Sequence, residues 1–230
     1  MSRTVLAIGA HIGDMDLTAG PLLATYALNG DSTAIVALTP GERGHPRVAP
    51  DEYKKQKIAE GSAFAAGIGA DFHVFDDQSD GFLTASEDLA TRVADLIREV
   101  RPDVLIAHWP NSIHTDHTHA SELAERGRFL AGLPMEHPLP RHGISRFLYA
   151  ENWEDAEGFA PTLYVPIPDE AFETWREAIG GQAFARGETY GFRYIDYYTA
   201  LMTTRGCLAG HQRAVALATP GEGRQILDLP

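Results

Sequence analysis

The 230-residue chain is poor in the features that mark secreted and membrane proteins. It has one cysteine, Cys207, so no internal disulfide can form, and a reducing compartment is expected. It has no apolar run of the roughly 18 residues that a membrane-spanning helix needs, and its first residues lack a signal-peptide pattern. We therefore expect a cytoplasmic protein that does not insert into a membrane.

Positive charge is also scarce in this sequence. The chain carries 19 Lys and Arg against 32 Asp and Glu, which gives a formal net charge of −13. Nucleic acids and anionic membrane surfaces attract Lys and Arg, so this balance argues against both as partners. The remaining composition is that of an ordinary globular protein, for which we expect a small-molecule substrate. The sequence leaves a homo-oligomer open.

Short apolar segments alternate with segments of helical period along the chain. The predicted strands are 4–8, 32–38, 72–75, 103–107, 147–151 and 161–167, and the predicted helices are 17–28, 51–66, 86–100, 119–130, 169–179 and 190–202. Such alternation predicts an α/β fold with a mainly parallel sheet and right-handed crossovers. We expect one domain over residues 1–230, in which 132–230 completes the pocket, and a loose tail after Thr219.

Polar clusters follow two of the predicted strands. His11, Asp14 and Asp16 come directly after the first strand, and a His/Asp cluster over 114–119 follows the strand at 103–107. Open α/β sheets place their sites at such strand ends. Imidazole and carboxylate together suit a divalent metal, zinc above all, and the two clusters together offer enough ligands for one ion.

Simpler interpretations exist for several of these residues. A lone His11 is most often a turn residue, and Asp16 suits the first turn of a helix, where a carboxylate complements the helix dipole. His119 fits a cap or a solvent-facing position, and Asp80 fits an Asp-Gly turn. The joint presence of His11, Asp14 and the distant pair His114 and His117 favours the metal site.

The ordered set of motifs resembles the PIG-L/LmbE-like family of zinc-dependent N-deacetylases. The segment Ala10-His-Ile-Gly-Asp-Met-Asp16 is similar to that family's Ala-His-Pro-Asp-Asp-x-Glu signature, and His114-Thr-Asp-His117 is similar to its His-Pro-Asp-His motif. Gly41-Glu-Arg-Gly44, Asp80-Gly81 and Arg205-Gly206 resemble later elements of the family. The resemblance implies a Rossmann-like fold with helices on both faces of the sheet.

The resemblance also implies roles for individual residues. His11, Asp14 and His117 would bind one zinc ion, and His114 would act as a second catalytic histidine, oriented by Asp116. The candidate substrate-binding residues are Asp80, Arg43 and Glu42. For Arg43 and Lys57 we favour a solvated surface over a grip on an anionic or hydroxylated substrate. The implied reaction is removal of an N-acyl group, acetyl above all, from an amino-sugar-like small molecule.

One position departs from the family pattern. Gly13 stands where the deacetylases have the aspartate that acts as general base, and glycine offers no proton acceptor. Three interpretations follow: Asp16 or Glu42 replaces the base, the protein is a base-deficient relative with little activity, or the reaction differs. The third would be hydration of an unsaturated oxo-acid, since the fold resembles that of a zinc-dependent hydratase that also lacks this aspartate.

Overall fold

Five parallel strands, starting at one edge, form most of a seven-stranded sheet in the computed structural model, which describes residues 2–221. The spatial order is β3-β2-β1-β4-β5-β7-β6, and β7 runs antiparallel to both of its neighbours. The strands are β1 (Thr4–His11), β2 (Ser32–Thr39), β3 (Asp71–Val74), β4 (Val104–His108), β5 (Arg146–Ala150), β6 (Leu163–Pro166) and β7 (Ala214–Ala218).

Helices connect these strands. They are α1 (Asp14–Thr18), α2 (Gly20–Leu28), α3 (Pro50–Ile68), α4 (Glu87–Val100), α5 (Thr115–Gly132), α6 (Asp169–Ile179) and α7 (Tyr194–Ala209), with a short 3-10 helix at Trp153–Asp155. Among residues 2–221, no helix combines the length and the apolar character needed to cross a membrane.

The sheet buries both of its faces, as a parallel sheet usually does. Val5 and Ala7 of β1 point into a cluster with α2, α6 and α7, whereas Leu6 and Ile8 point into a second cluster with α4 and α5. This alternation follows from the two-residue period of a strand. The predicted α/β class, with a mainly parallel sheet and helices on both faces, is therefore confirmed.

The C-terminal third shows the main differences from the predicted elements. β7 was not predicted, because Ala214-Val-Ala-Leu-Ala218 is rich in alanine, which has a low strand propensity. Its pairing with β5 and β6 comes from distant parts of the chain. The helix predicted at 190–202 lies instead at Tyr194–Ala209. Most of the tail predicted to be loose lies outside the described residues.

The strand order places the ends of β1 and β4 side by side. The chain runs from β1 outward to β2 and β3, then returns to the other side of β1 to form β4. This reversal is the topological switch point, where open α/β sheets bind their ligands. His11 pairs in register with Thr39, and His108 pairs with Ala150, so the last residues of four strands reach the same edge.

Gly206 allows α7 to lie directly against the chain that leads into β7. A Cβ at this position would lie 2.7 Å from the backbone nitrogen and Cα of Arg213. Because backbone atoms cannot move aside as a side chain can, we expect Gly206→Ala to lower the free energy of unfolding by about 1–3 kcal/mol. Denaturant unfolding measures this change. The exposed Leu208→Ala is the control and should stay within about 0.5 kcal/mol of the wild type; equal stability of both variants would contradict the packing.

Candidate active site

A tight turn after β1 brings Asp14 back onto His11. Gly13 adopts φ +112°, a left-handed conformation that glycine tolerates and that side-chain-bearing residues rarely adopt. The turn lets the Asp14 carboxylate accept a hydrogen bond from the backbone N–H of His11, with an N···O distance of 2.7 Å. The same carboxylate oxygen, Oδ2, lies 3.4 Å from His11 Nδ1.

The first turn of α5 supplies a third side chain. His117 is buried, and its Nε2 lies 3.5 Å from Asp14 Oδ2. Zinc bonds of about 2.0–2.2 Å arranged as a tetrahedron separate neighbouring ligand atoms by roughly 3.3–3.6 Å. The spacing of His11, Asp14 and His117 therefore fits a metal ion, and the three side chains form a group able to hold one.

Asp155 supports this group from behind. It is fully buried in the 3-10 helix after β5, and its Oδ1 accepts a hydrogen bond from His117 Nδ1 at 2.9 Å. Its other oxygen lies 2.7 Å from His108 Nδ1, while His108 Nε2 lies 3.1 Å from Asp14 Oδ2. A carboxylate on the far nitrogen of a ligating histidine fixes the orientation of the ring, as in many zinc sites.

Two further carboxylates surround His11. Its Nε2 lies 3.1 Å from Asp80 Oδ1 and 3.2 Å from Asp116 Oδ2. The backbone N–H of Gly81 also donates to Asp116 Oδ2, at 2.7 Å, which ties the loop after β3 to α5. His11 thus presents Nδ1 toward Asp14 and holds Nε2 against acidic neighbours.

The charges of these groups suit a cation. Burial and the nearby His108 lower the pKa of His117 to about 4, so its ring is neutral, as a metal ligand must be. Burial opposes ionisation of Asp14, but His117 and His11 more than offset it and hold its pKa well below the usual value. Burial likewise opposes a charge on His11, whose pKa is nevertheless raised by Asp14 and the other carboxylates. The carboxylates that favour a proton on His11 would equally favour a divalent ion bound at the same place.

Two alternative groups of possible ligands share residues with the first. One comprises His11, Asp80 and His114; the other comprises His108, His117 and Asp155. The second is wholly buried, which leaves little access for a substrate. The group of His11, Asp14 and His117 borders an open cavity of about 260 Å³.

Both halves of the chain form this cavity. The first half supplies the ligand group with Asp80, His114 and Lys57, and residues after 150 supply Glu154, Phe184 and an aromatic wall of Tyr190, Tyr194 and Tyr198. Lys57 is buried, contrary to the solvated position favoured from the sequence. A signal was available, because Lys57 comes four residues after the buried Tyr53 and seven before the buried Phe64, a spacing that places all three on one face of α3.

Glu154 is the main cavity residue that sequence reasoning missed. Its Oε2 lies 3.8 Å from His117 Nε2. Burial, reinforced by the charges of Asp14 and Asp155, raises the pKa of Glu154 to about 7. A signal was available, because Asn152-Trp-Glu-Asp155 follows a predicted strand just as the two recognised clusters do.

Asp16 does not line the cavity. It is buried, and its carboxylate accepts a hydrogen bond from Gln182 Nε2 while its backbone carbonyl accepts one from Trp175 Nε1. Burial raises the pKa of Asp16 to about 6. These contacts join α1 to the C-terminal half of the chain and give Asp16 no access to a reacting group.

Glu42 and Arg43 hold the loop that carries Asp80. The Glu42 carboxylate accepts hydrogen bonds from the Ser79 hydroxyl at 2.6 Å and from the Asp80 N–H at 3.2 Å. The backbone N–H of Arg43 donates to Asp80 Oδ2 at 3.1 Å, and its guanidinium contacts Ser79 at the surface. Of these residues, Asp80 alone lines the cavity.

His114 lines the cavity at the start of α5, and its contact with Asp116 differs from the expected one. The backbone N–H of Asp116 donates to His114 Nδ1 at 3.2 Å, whereas the Asp116 carboxylate contacts His11. Because Nδ1 accepts a hydrogen bond, the neutral ring carries its proton on Nε2. Asp116 therefore orients His114 through its backbone and His11 through its side chain.

The ring of Phe184 fills the space next to the Cα of Gly13. A Cβ at this position would lie 2.3 Å from Phe184 Cζ. The space in which the family resemblance implies an aspartate side chain is thus occupied by an aromatic ring from the C-terminal half of this chain. Neither a base nor water fits there without displacing Phe184.

Fold and site together define an α/β protein with a metal-binding group at the switch point of its sheet. Residues 6–126 match the GlcNAc-PI de-N-acetylase (PIG-L) family over more than half of the sequence, and the chain belongs to this family. The family assignment made from the sequence motifs is therefore confirmed.

The relatives carry two kinds of activity. A 1D-myo-inositol 2-acetamido-2-deoxy-α-D-glucopyranoside deacetylase from Streptomyces avermitilis is 26% identical over 213 residues, which cover 80% of this chain and 69% of the relative. A 4-oxalmesaconate hydratase from Pseudomonas putida is 29% identical over 137 residues, covering 56% of this chain and 53% of the relative. Both activity classes expected from the sequence thus occur among its relatives.

The fold is shared with a solved structure over its full length. The crystal structure of 4-carboxy-2-hydroxymuconate hydratase from Pseudomonas putida superposes with a TM-score of 0.88 and covers 99% of this chain and 100% of that one. The two sequences are 23% identical, so this similarity establishes the fold alone.

Asp155→Asn removes the charge behind His117 while leaving all three proposed ligands in place. We expect zinc affinity to fall by about 10- to 100-fold, the usual effect of losing such a support. Competition with a chelator of known affinity measures this change. Glu157→Gln, at an exposed carboxylate nearby, is the matched control. Unchanged zinc affinity in Asp155→Asn would show that Asp155 does not support a metal ligand.

Gly13→Asp should not restore a deacetylase-like base. The new side chain would meet Phe184 and would sit at φ +112°, so we expect a loss of stability of at least the roughly 1–3 kcal/mol typical of such backbone strain, and no gain in amide hydrolysis. Denaturant unfolding and an amine-release assay measure the two effects. Adding Phe184→Ala should recover part of the stability by removing the clash. A stable, more active single variant would refute this interpretation.

Proposed function

We propose that the chain is a zinc-dependent hydrolase that removes an N-acyl group, acetyl above all, from an amino-sugar-like small molecule. The observation that carries this proposal is the group of His11, Asp14 and His117, which opens onto a cavity shared with His114 and Glu154. Membership of the de-N-acetylase family and the deacetylase relative support the same reaction. A cytoplasmic location and a homo-oligomeric state stay predictions.

One zinc ion fits the three donors. Two imidazoles and one carboxylate are a common ligand set of catalytic zinc, and the cavity leaves a further position open to a water or a substrate. Such an ion would lower the pKa of a water and polarise the acyl carbonyl. The remaining chemistry falls to the side chains around it.

Glu154 is the proposed proton acceptor. It lines the cavity next to His117, whereas Gly13 has no side chain and neither Asp16 nor Glu42 lines the cavity. A carboxylate that is partly buried binds a proton more readily than an exposed one, which suits a general base. In hydrolysis, Glu154 would take a proton from the attacking water and deliver it to the leaving nitrogen as the C–N bond breaks. The products are a carboxylate and a free amine.

His114 is the proposed donor to the developing oxyanion. Its Nδ1 accepts the Asp116 N–H, so Nε2–H is the group available to the cavity. A donor held in this way stabilises charge that appears on the carbonyl oxygen in the transition state. Asp80 is the proposed contact for a substrate hydroxyl, while Glu42 and Arg43 contribute by holding the Asp80 loop.

Hydration of an unsaturated oxo-acid is the second candidate function. The observation in its favour is Phe184, which fills the space above Gly13 where the deacetylases place their base. The 4-oxalmesaconate hydratase relative makes this chemistry relevant. Hydration adds water across a carbon–carbon double bond and releases no amine, so the two candidate reactions differ in their products.

Glu154→Gln and His114→Ala test the proposed roles. With zinc content unchanged, we expect Glu154→Gln to lose about 10²–10⁴-fold in kcat, the usual effect of removing a general base. We expect His114→Ala to lose about 10²–10³-fold, the usual effect of removing a donor to the oxyanion. The measurement is amine release from a panel of N-acetyl amino sugars, with zinc determined in each variant. The exposed Glu157→Gln is again the control.

The same panel distinguishes the two candidate functions. Amine release by the wild-type protein supports hydrolysis. Hydrolysis would be rejected in favour of hydration if no N-acyl compound released amine and an unsaturated oxo-dicarboxylate lost its ultraviolet absorbance. Native rates in zinc-loaded Glu154→Gln on an accepted substrate would remove Glu154 from the mechanism.

A further inference from the structure

Lys57 is a buried cation at the wall of the cavity. It lies on α3, and 4% of the residue is exposed. It is the one lysine or arginine among the described residues that line the cavity. Within residues 2–221, its ammonium forms no hydrogen bond or ion pair with another residue, and its close contact is with the ring of Phe184. A lysine this deeply buried normally has an anionic partner, and this one borders the cavity, where an acidic ligand could supply that partner.

The surrounding side chains pack against Lys57 but offer its ammonium no hydrogen-bond acceptor. Its Nζ lies 3.9 Å from the centre of the Phe184 ring, a favourable cation–π contact that supplies no hydrogen-bond acceptor. Its Cε lies 3.6 Å from where a Cβ of Gly41 would be, beside His11. Because Gly13 has no side chain, the Phe184 ring can pack above it. The same ring contacts the Lys57 ammonium, so Gly13, Phe184 and Lys57 form one continuous set of contacts.

The carboxylates near Lys57 act at a distance. Burial lowers the pKa of Lys57, while Asp16 and, more weakly, Asp14 and Glu60 oppose that effect. None of them fills the donor positions of the ammonium. Glu60 Oε1 accepts hydrogen bonds from Gln56 and from the backbone of Ala183, and Glu60 Oε2 is buried without a partner among the described residues. The three N–H donors of Lys57 are therefore available to an acceptor that enters the cavity.

We propose that Lys57 binds a carboxylate of the substrate, so that the natural substrate of this site carries an acidic group, whether it is an N-acyl amino-sugar-like compound or an unsaturated oxo-acid. The proposal rests on the cavity being the reaction site, as set out above, but holds for either candidate reaction. Hydrogen bonds between charged partners are about twice as strong as neutral ones, and a carboxylate offers the charge that Lys57 lacks. The carboxylates around His11 would repel the carboxylate of the substrate, which would therefore lie toward Lys57 and away from the proposed metal ligands.

Binding of simple acids tests this proposal without turnover. The probes are the dicarboxylates from malonate to adipate and the corresponding neutral diamides, titrated calorimetrically into zinc-loaded and metal-free protein. The variants are Lys57→Met, which keeps the length of the side chain but removes its charge, and Lys57→Arg, which keeps a charge. Lys55→Met, at an exposed position on the same helix, is the matched control.

We expect the best-binding diacid to lose about 10- to 100-fold in affinity in Lys57→Met, with and without zinc, the range of a charged hydrogen bond. Lys57→Arg should lose less, and Lys55→Met and the diamides should not change. Equal losses for acids and amides would indicate a structural role for Lys57 and overturn the proposal. So would undiminished acid binding by Lys57→Met, or no acid binding at millimolar concentration by the wild type.

This result is independent of the test of function. Charge-selective binding through Lys57, with no amine released from any N-acyl compound, would retain the carboxylate site and reject the hydrolase. Amine release from neutral N-acetyl sugars, together with acid binding that is unchanged in Lys57→Met, would support the hydrolase and reject the carboxylate site.

Discussion

The site depends on the Asp14 carboxylate, around which side chains from three separate elements converge. Oδ2 of Asp14 accepts the backbone N–H of His11 and lies within 3.5 Å of nitrogens of His11, His108 and His117. A carboxylate with this little access to solvent needs such partners, since desolvation alone would favour its neutral form. The turn at Gly13 places it there, and the buried Asp155 orients two of the three rings. His117 is neutral and Asp14 is ionised, as metal ligands must be, whereas the carboxylates around His11 favour a positive charge that either a proton or a divalent ion can supply.

The arrangement at Gly13 separates this chain from the family pattern that it otherwise follows. Glycine at position 13 occurs together with Phe184 packed above it, a buried Lys57 against that ring, and Glu154 on the cavity wall. The group of His11, Asp14 and His117, which could hold a metal ion, lies beside this arrangement. A base-deficient protein with little activity would have no use for an ammonium facing its cavity, so Lys57 argues against that interpretation of Gly13.

Local patterns in the sequence were sufficient to predict the parallel sheet and to direct attention to His11, Asp14 and His117, because each cluster follows a strand end. The residues that were missed depend on distant parts of the chain. Lys57 lies on the buried face of α3, but the ring of Phe184 that it contacts comes more than 120 residues later. Asp16 looked available next to the motif, yet it is covered by Gln182. Glu154 follows a correctly predicted strand and could have been found by the rule applied to the first two clusters.

The most direct test of the central claim is a crystal structure of the zinc-loaded protein with anomalous data at the zinc edge. The account predicts one peak about 2.0–2.2 Å from donor atoms of His11, Asp14 and His117. A peak within one of the other two groups would contradict it, whether at His11, Asp80 and His114 or at His108, His117 and Asp155. Absence of any peak in protein shown to contain stoichiometric zinc would contradict it equally.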